Sequence, residues 1–137
     1  MAFSYKQAFM AYMEQQGIKY QDKGEFTVSV TYSGDNLKTI PIFVFFDKDG
    51  EGLVQLACWE ICNFSEDKQA AGLLCCNQLN SKYRWVKFYV DTDRDTRAEL
   101  DAIIDPQTVG QECLALVRRM VNIVDDAYPI LMAARFT

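Results

Sequence analysis

Residues 40–46, Ile-Pro-Ile-Phe-Val-Phe-Phe, form an unbroken apolar run rich in β-branched and aromatic side chains. The run is far too short to cross a bilayer as a helix. Thr39 precedes it and Asp47-Lys48-Asp49-Gly50 follows it, so it reads as a strand with both faces covered. What covers its second face is the question that leads to function.

The neighbouring strands follow from alternation. Phe26, Val28, Val30 and Tyr32 alternate with Thr27, Ser29 and Thr31. Ser33-Gly34-Asp35-Asn36 is turn material, and Asp49-Gly50 is a hairpin signal leading into a third strand over 53–62. Even-length turns at both places set the registers. One face then carries Phe26, Val28, Val30, Tyr32, Phe43, Phe45, Val54, Leu56 and Cys58, and is the expected core. The other carries Thr27, Ser29 and Thr31 at its edge, with Ile40, Ile42, Val44, Phe46, Leu53, Ala57 and Trp59 in the middle.

Residues 3–16 read as a helix capped by Ser4, with Ala8, Phe9, Tyr12 and Met13 at helical spacing and Gly17 as its stop. Residues 20–24 read as a polar link. Ser65 opens a second helix with Glu66 and Asp67 in its first turn, and Ala70, Leu73, Leu74 and Leu79 as its apolar contacts. Residues 84–90 and 96–104 are the fourth and fifth strands, joined by the loop 91–95. Helix propensity in 97–102 is overruled by pairing. Phe88 meets Ala98, Val86 meets Leu100, Lys87 meets Glu99, Tyr89 meets Arg97 and Trp85 meets Asp101. Asp105-Pro106 starts a last helix, buried through Val109, Cys113, Leu116, Val117, Met120, Val124 and Ala127. Pro129 is expected to kink or break it near Tyr128. The result is one α+β domain over 1–137, in the order α-βββ-α-ββ-α.

Several functions are excluded by what the chain lacks. It has no histidine, which removes Ser-His-Asp and Cys-His catalysis, His-ligated zinc and histidine pH switches. No Gly-x-Gly-x-x-Gly or Gly-Lys-Ser/Thr stretch occurs, so no nucleotide cofactor is expected. The net charge of −5 repels phosphate backbones, and the only basic doublet is Arg118-Arg119, so nucleic acid is not expected as a partner. Residues 1–17 carry polar residues throughout and have no uninterrupted apolar core, and the five cysteines follow no framework spacing. Both point to a cytoplasmic protein with reduced thiols and no membrane span.

Candidate chemistry is thin. Asp91-Thr92-Asp93-Arg94-Asp95 opens like a calcium loop, but Thr96 stands where glycine is needed and Ala102 where glutamate is needed. It reads as an acidic hairpin loop, and 47–52 reads as a hairpin turn. Cys58 and Cys62 on one strand are ~13 Å apart, too far to share a metal or a disulfide. Cys75-Cys76 point apart on a helix and Cys113 lies on an apolar stripe, so all five thiols read as small buried hydrophobes. Glu60 is a candidate perturbed acid, placed at the exposed end of its strand. The chain therefore reads as no enzyme, with no catalytic, metal or cofactor residues. The rival reading is a hydrolase using Asp91, Asp93 or Glu60 through a bound metal.

The order of elements resembles the type III secretion chaperone-like fold. Cys76-Asn77-Gln78-Leu79-Asn80, followed by Tyr83-Arg84-Trp85-Val86-Lys87-Phe88-Tyr89-Val90-Asp91, is similar to the YbjN family. Members join a helix to the fourth strand with Asn-x-x-Asn and a Lys-Phe-Tyr strand. The resemblance implies a two-layer fold with a five-stranded antiparallel sheet, order 1-2-3-5-4, and all helices on one face. It implies a regulator of sensory transduction without accepted catalytic residues. Secretion chaperones are small acidic homodimers, which by analogy implies a homodimer here.

If the helices cover one face, the other is left open. Its apolar stripe, Ile40, Ile42, Val44 and Trp59, is rimmed by Thr27, Ser29, Thr31, Lys87 and Glu99, as an interface would be, with Trp59 as anchor. The expected function is a non-catalytic protein-interaction module, a regulator or chaperone-like adaptor that binds a protein partner and forms a homodimer. One alternative has the last helix fold back at Pro129 to cover the stripe within the chain. Another is a small-molecule sensor, its pocket between sheet and helix under Tyr12 and Tyr128.

Overall fold

Ser4 opens the first helix, α1 (Tyr5–Gln16), by accepting the Gln7 N–H on its hydroxyl, and Gly17 closes it at a φ of 70°. The computed structural model describes residues 3–137; Met1 and Ala2 of the expected domain lie outside the described residues. The strands are β1 (Gln21–Gly24), β2 (Thr27–Tyr32), β3 (Ile40–Phe46), β4 (Leu53–Cys58), β5 (Lys87–Val90) and β6 (Thr96–Ile103). A short 3-10 turn, Glu66–Lys68, leads into α2 (Gln69–Lys82), and α3 (Val109–Phe136) closes the chain. The sheet is antiparallel with order β1-β2-β3-β4-β6-β5. The class is α+β as expected, with one strand more than the five foreseen. That strand is β1, on the segment expected to be a link. All four of its residues are exposed, so no alternation marks it. It is held from outside: the buried Lys6 ammonium donates to Asp22 at 2.6 Å and to the Gly24 carbonyl.

The helices form one layer. α3 lies over β3 and β4, flanked by α1 and α2. The face beneath them carries Val28, Val30, Ile40, Ile42, Val44, Phe46, Val54, Leu56, Cys58, Ala98 and Leu100, all buried. This corrects the expected core for β3, whose Phe43 and Phe45 turn the other way. Tyr32 pairs with Ile40 and Phe46 with Val54, so seven residues connect each pair. Both connections are odd where even turns were expected. Each odd loop flips the parity once, so β3 is inverted while β2 and β4 keep their expected faces.

Other departures have local causes. β4 stops at Cys58 because Glu60, at φ 58°, turns the chain out of the ladder. β5 starts at Lys87 because Trp85 sits at φ 79°. Lys87, Phe88 and Tyr89 pair with Glu99, Ala98 and Arg97 as expected, while Val86 and Trp85 stay outside the ladder. On α2 the buried residues are Gly72, Cys75, Cys76 and Leu79, while Leu73 and Leu74 are exposed. Gly72 lies against the Phe64 ring, which sets that face. Asn80 bonds Phe88 twice, its Oδ1 accepting the N–H at 2.7 Å and its Nδ2 donating to the carbonyl at 3.0 Å. It satisfies the outer edge of β5 as a neighbouring strand would. α3 begins at Val109, after Asp105 accepts the Gln107 N–H in a tight turn.

Pro129 does not break α3, which is helical through it to Phe136. A proline has no N–H, so the carbonyl four residues earlier, on Asp125, loses its helical donor. The Asn36 side chain supplies one, donating to Asp125 O at 3.1 Å. The Asp125 carboxylate in turn accepts the N–H groups of Asp35, Asn36 and Leu37 at 3.1, 2.8 and 2.9 Å. Gly34 permits this approach, since a Cβ there would overlap the carboxylate. Partial burial pushes the Asp125 carboxyl up, but the three N–H donors outweigh it and hold it below the usual range.

Asp125→Ala should therefore destabilise the fold by about 2 kcal/mol, the scale of lost charge-assisted hydrogen bonds. A depressed carboxyl stabilises the folded state above its unfolded pKa and loses that contribution as pH falls through the folded value. In urea melts the gap between wild type and Asp125→Ala should be constant near neutrality. It should close only below the ordinary carboxylate range. A gap that does not change with pH would refute the role given to the charge.

Candidate functional site: an aromatic platform on the open sheet face

The inversion of β3 puts Phe43 and Phe45 on the face without helices, while Phe46 stays beneath them. Phe43 and Phe45 stand on that face of β3 with centroids 6.2 Å apart and planes at 18°. Trp59, just past β4, stacks beside both at 5.6 Å, with planes at 20° and 26°. Polar contacts hold the tryptophan from the β5–β6 side. Its Nε1 donates to Glu99 Oε2 at 3.1 Å, and the Tyr89 hydroxyl donates to the same oxygen at 2.9 Å. The Arg97 guanidinium lies 4.9 Å from the Trp59 ring centre, in cation–π range.

Arg97 is itself anchored, its Nε donating to Asp91 Oδ2 at 2.9 Å. The other Asp91 oxygen accepts the N–H groups of Asp93 and Asp95. Burial pushes the Asp91 carboxyl up, but the Asp95 N–H, Arg97 and the Asp93 N–H outweigh it and leave it lowered. The loop that opens like a calcium site is thus a turn that aims Arg97. Among the described residues no group of three acidic, Cys or His side chains is placed to hold a metal ion. Glu60 is exposed at the end of the strand, as expected. Leu53 and Ile103, paired across β4 and β6 and 46% and 78% exposed, extend the apolar surface beyond Phe45. Gln55 and Asp101 lie between them and the aromatic rings in a shallow groove.

Of the residues expected to form an interface, Trp59 is on this face. Ile40, Ile42 and Val44 are fully buried beneath α3 within the chain. The rim residues Thr27, Ser29, Thr31, Lys87 and Glu99 are on the open face as expected, but Ser29 is buried between β1 and β3 and Glu99 is drawn inward by Trp59 and Tyr89. Phe43 and Phe45 are the residues that sequence reasoning assigned to the core. Both sets on β3 are apolar, so polarity carries no signal; only the length of the connecting loops distinguishes them. Tyr12 does not roof a pocket between sheet and helix. It packs against Gly110, where a Cβ would overlap it, and so joins α1 to α3.

These features define a two-layer α+β domain with helices on one sheet face and a pre-organised aromatic cluster on the other. No helix among the described residues is long and apolar enough to cross a membrane. The chain belongs to the YbjN family, whose profile matches residues 7–131 and which is described as "Putative bacterial sensory transduction regulator". Among solved structures it is similar to E. coli YbjN, described as "a putative transcription regulator", with a TM-score of 0.67. That alignment covers 96% of this chain and 94% of the other at 8% identity, and so shows a common fold. No curated protein sequence matches the chain.

The five cysteines are free and buried, which agrees with their expected place in the core. Burial pushes the thiols of Cys58, Cys76 and Cys113 up to about 12 and raises those of Cys62 and Cys75. At pH 8 a thiol near 12 is ionised roughly a thousandfold less than a free one. Reaction of the native protein with a thiol-specific disulfide reagent should be slow, and complete only after denaturation. Rapid modification of two or more thiols would contradict this.

Proposed function

We propose that this chain is a non-catalytic cytoplasmic regulator that acts by binding protein through the platform of Phe43, Phe45 and Trp59, and that it forms a homodimer by the same face. The observation that carries the reading is that cluster, held rigid by Arg97, Glu99 and Tyr89 on the face without helices. Aromatic and arginine side chains dominate binding hot spots because they bring large contact area at little conformational cost. Rings fixed before binding lower that cost further. The family description as a regulator supports a role in signalling. Both sheet edges resist strand addition: Asn80 satisfies one, and β1 is short, charged and irregular in register. Association through the face is therefore favoured over association through an edge.

Sedimentation velocity separates the outcomes. The wild type should be a dimer, and Phe43→Glu combined with Ile103→Glu should be a folded monomer. Ile42→Glu should instead unfold the chain, because it places a charge in the core. A wild-type monomer would refute the homodimer, and a dimer unaffected by the double substitution would refute the assigned face.

A further inference from the structure

An exposed tryptophan lies on the helix side of the molecule. Trp85 is 62% exposed, although its neighbour Val86 is buried. Its φ of 79° falls where bulky L residues rarely sit. The turn is held from both sides. The Tyr83 N–H donates to the Leu79 carbonyl at 2.9 Å, and Asn80 clamps Phe88. The fold thus imposes an unfavourable backbone conformation and gains no burial of the indole from it. Such outliers collect at ligand-binding sites.

The surroundings are cationic. Arg119 of α3 lies 5.6 Å from the Trp85 ring centre. Arg118 precedes it on the helix, Arg84 precedes Trp85 in the chain, and all three are exposed. Among the described residues no carboxylate pairs with any of these guanidiniums; the ion pairs are Lys6–Asp22, Lys82–Asp126 and Arg97–Asp91. In a chain of net charge −5, Arg119 against the indole and its sequence neighbour Arg118, with Arg84 next to Trp85, are thus exposed arginines without a carboxylate partner, the Asp126 carboxylate beside them being taken by Lys82 and Tyr83.

We infer that Trp85, Arg84, Arg118 and Arg119 form a docking site for an acidic segment of a partner protein carrying an apolar side chain. Guanidiniums bind carboxylates in a two-pronged geometry, and the indole offers the apolar group a flat contact. A short acidic segment feels mainly charges within about 8 Å at physiological salt, so the cationic spot governs it. An extended phosphate backbone meets the repulsion of the whole acidic chain. The site is independent of the aromatic platform.

The test uses a fluorescein-labelled Glu-rich peptide carrying two leucines, followed by anisotropy against the full chain. Its Lys-rich counterpart and a short DNA duplex serve as competing probes. The acidic peptide should bind, and added NaCl should weaken it. Arg118→Glu with Arg119→Glu should raise its Kd by about tenfold or more. Trp85→Gly should raise it comparably while melting no lower than wild type, because glycine adopts this φ freely. That pairing separates a docking role from a structural one. Phe43→Glu should leave peptide binding unchanged, so failure of the platform and failure of this site are told apart. Equal affinity for wild type and the double Arg variant would overturn the inference. So would unchanged binding by Trp85→Gly, or tighter binding of the Lys-rich peptide or the DNA.

Discussion

The faces of this sheet depend on the orientation of β3, and that orientation depends on a seven-residue loop held by one carboxylate. Asp125 accepts three successive N–H groups of the loop, and its carbonyl, freed by Pro129, takes the Asn36 amide. The proline that would ordinarily interrupt a helix here leaves an acceptor that a distant loop uses. Helix and hairpin therefore stabilise each other: the helix anchors the loop, and the loop satisfies the helix. With the loop in this conformation, Tyr32 faces Ile40, and the aliphatic side chains of β3 meet α3.

The aromatic platform follows from that choice. On β3 Ile40, Ile42, Val44 and Phe46 pack under the helices, and Phe43 and Phe45 go to the face the helices leave uncovered. There they meet Trp59, which is fixed by Glu99 and Arg97. Buried polar groups are costly unless bonded, and here the indole N–H, the Tyr89 hydroxyl and Glu99 satisfy one another. Trp85 is the contrary case, a largely exposed tryptophan on a strained turn with Arg119 over its ring. Two tryptophans of one chain thus sit in opposite settings, one pre-organised by the sheet and one presented by a turn.

The Asn-x-x-Asn stretch has a physical role in Asn80. Its carboxamide copies the donor and acceptor of a strand residue and seals the outer side of β5 at Phe88. At the opposite edge, Lys6 ties β1 down through Asp22. A six-stranded sheet with both edges managed leaves the face without helices uncovered.

Much of the architecture is legible in the sequence because it rests on local periodicity. The alternation of β2, the cross-strand match of Lys87, Phe88 and Tyr89 with Glu99, Ala98 and Arg97, the Ser4 cap and the apolar stripe of α3 are read from spacing alone. The absence of histidine and of phosphate-binding motifs is a property of the chain in any fold. Three things were decided only by tertiary structure. β1 forms on polar residues because Lys6, far from it in sequence, reaches Asp22. α3 passes through Pro129 because Asn36 bonds the carbonyl that proline leaves free. β3 turns Ile40, Ile42 and Val44 inward and Phe43 and Phe45 outward, although both sets are apolar. Hydrophobicity is blind between two such faces, and only the odd length of the connecting loops, held in place by long-range hydrogen bonds, separates them.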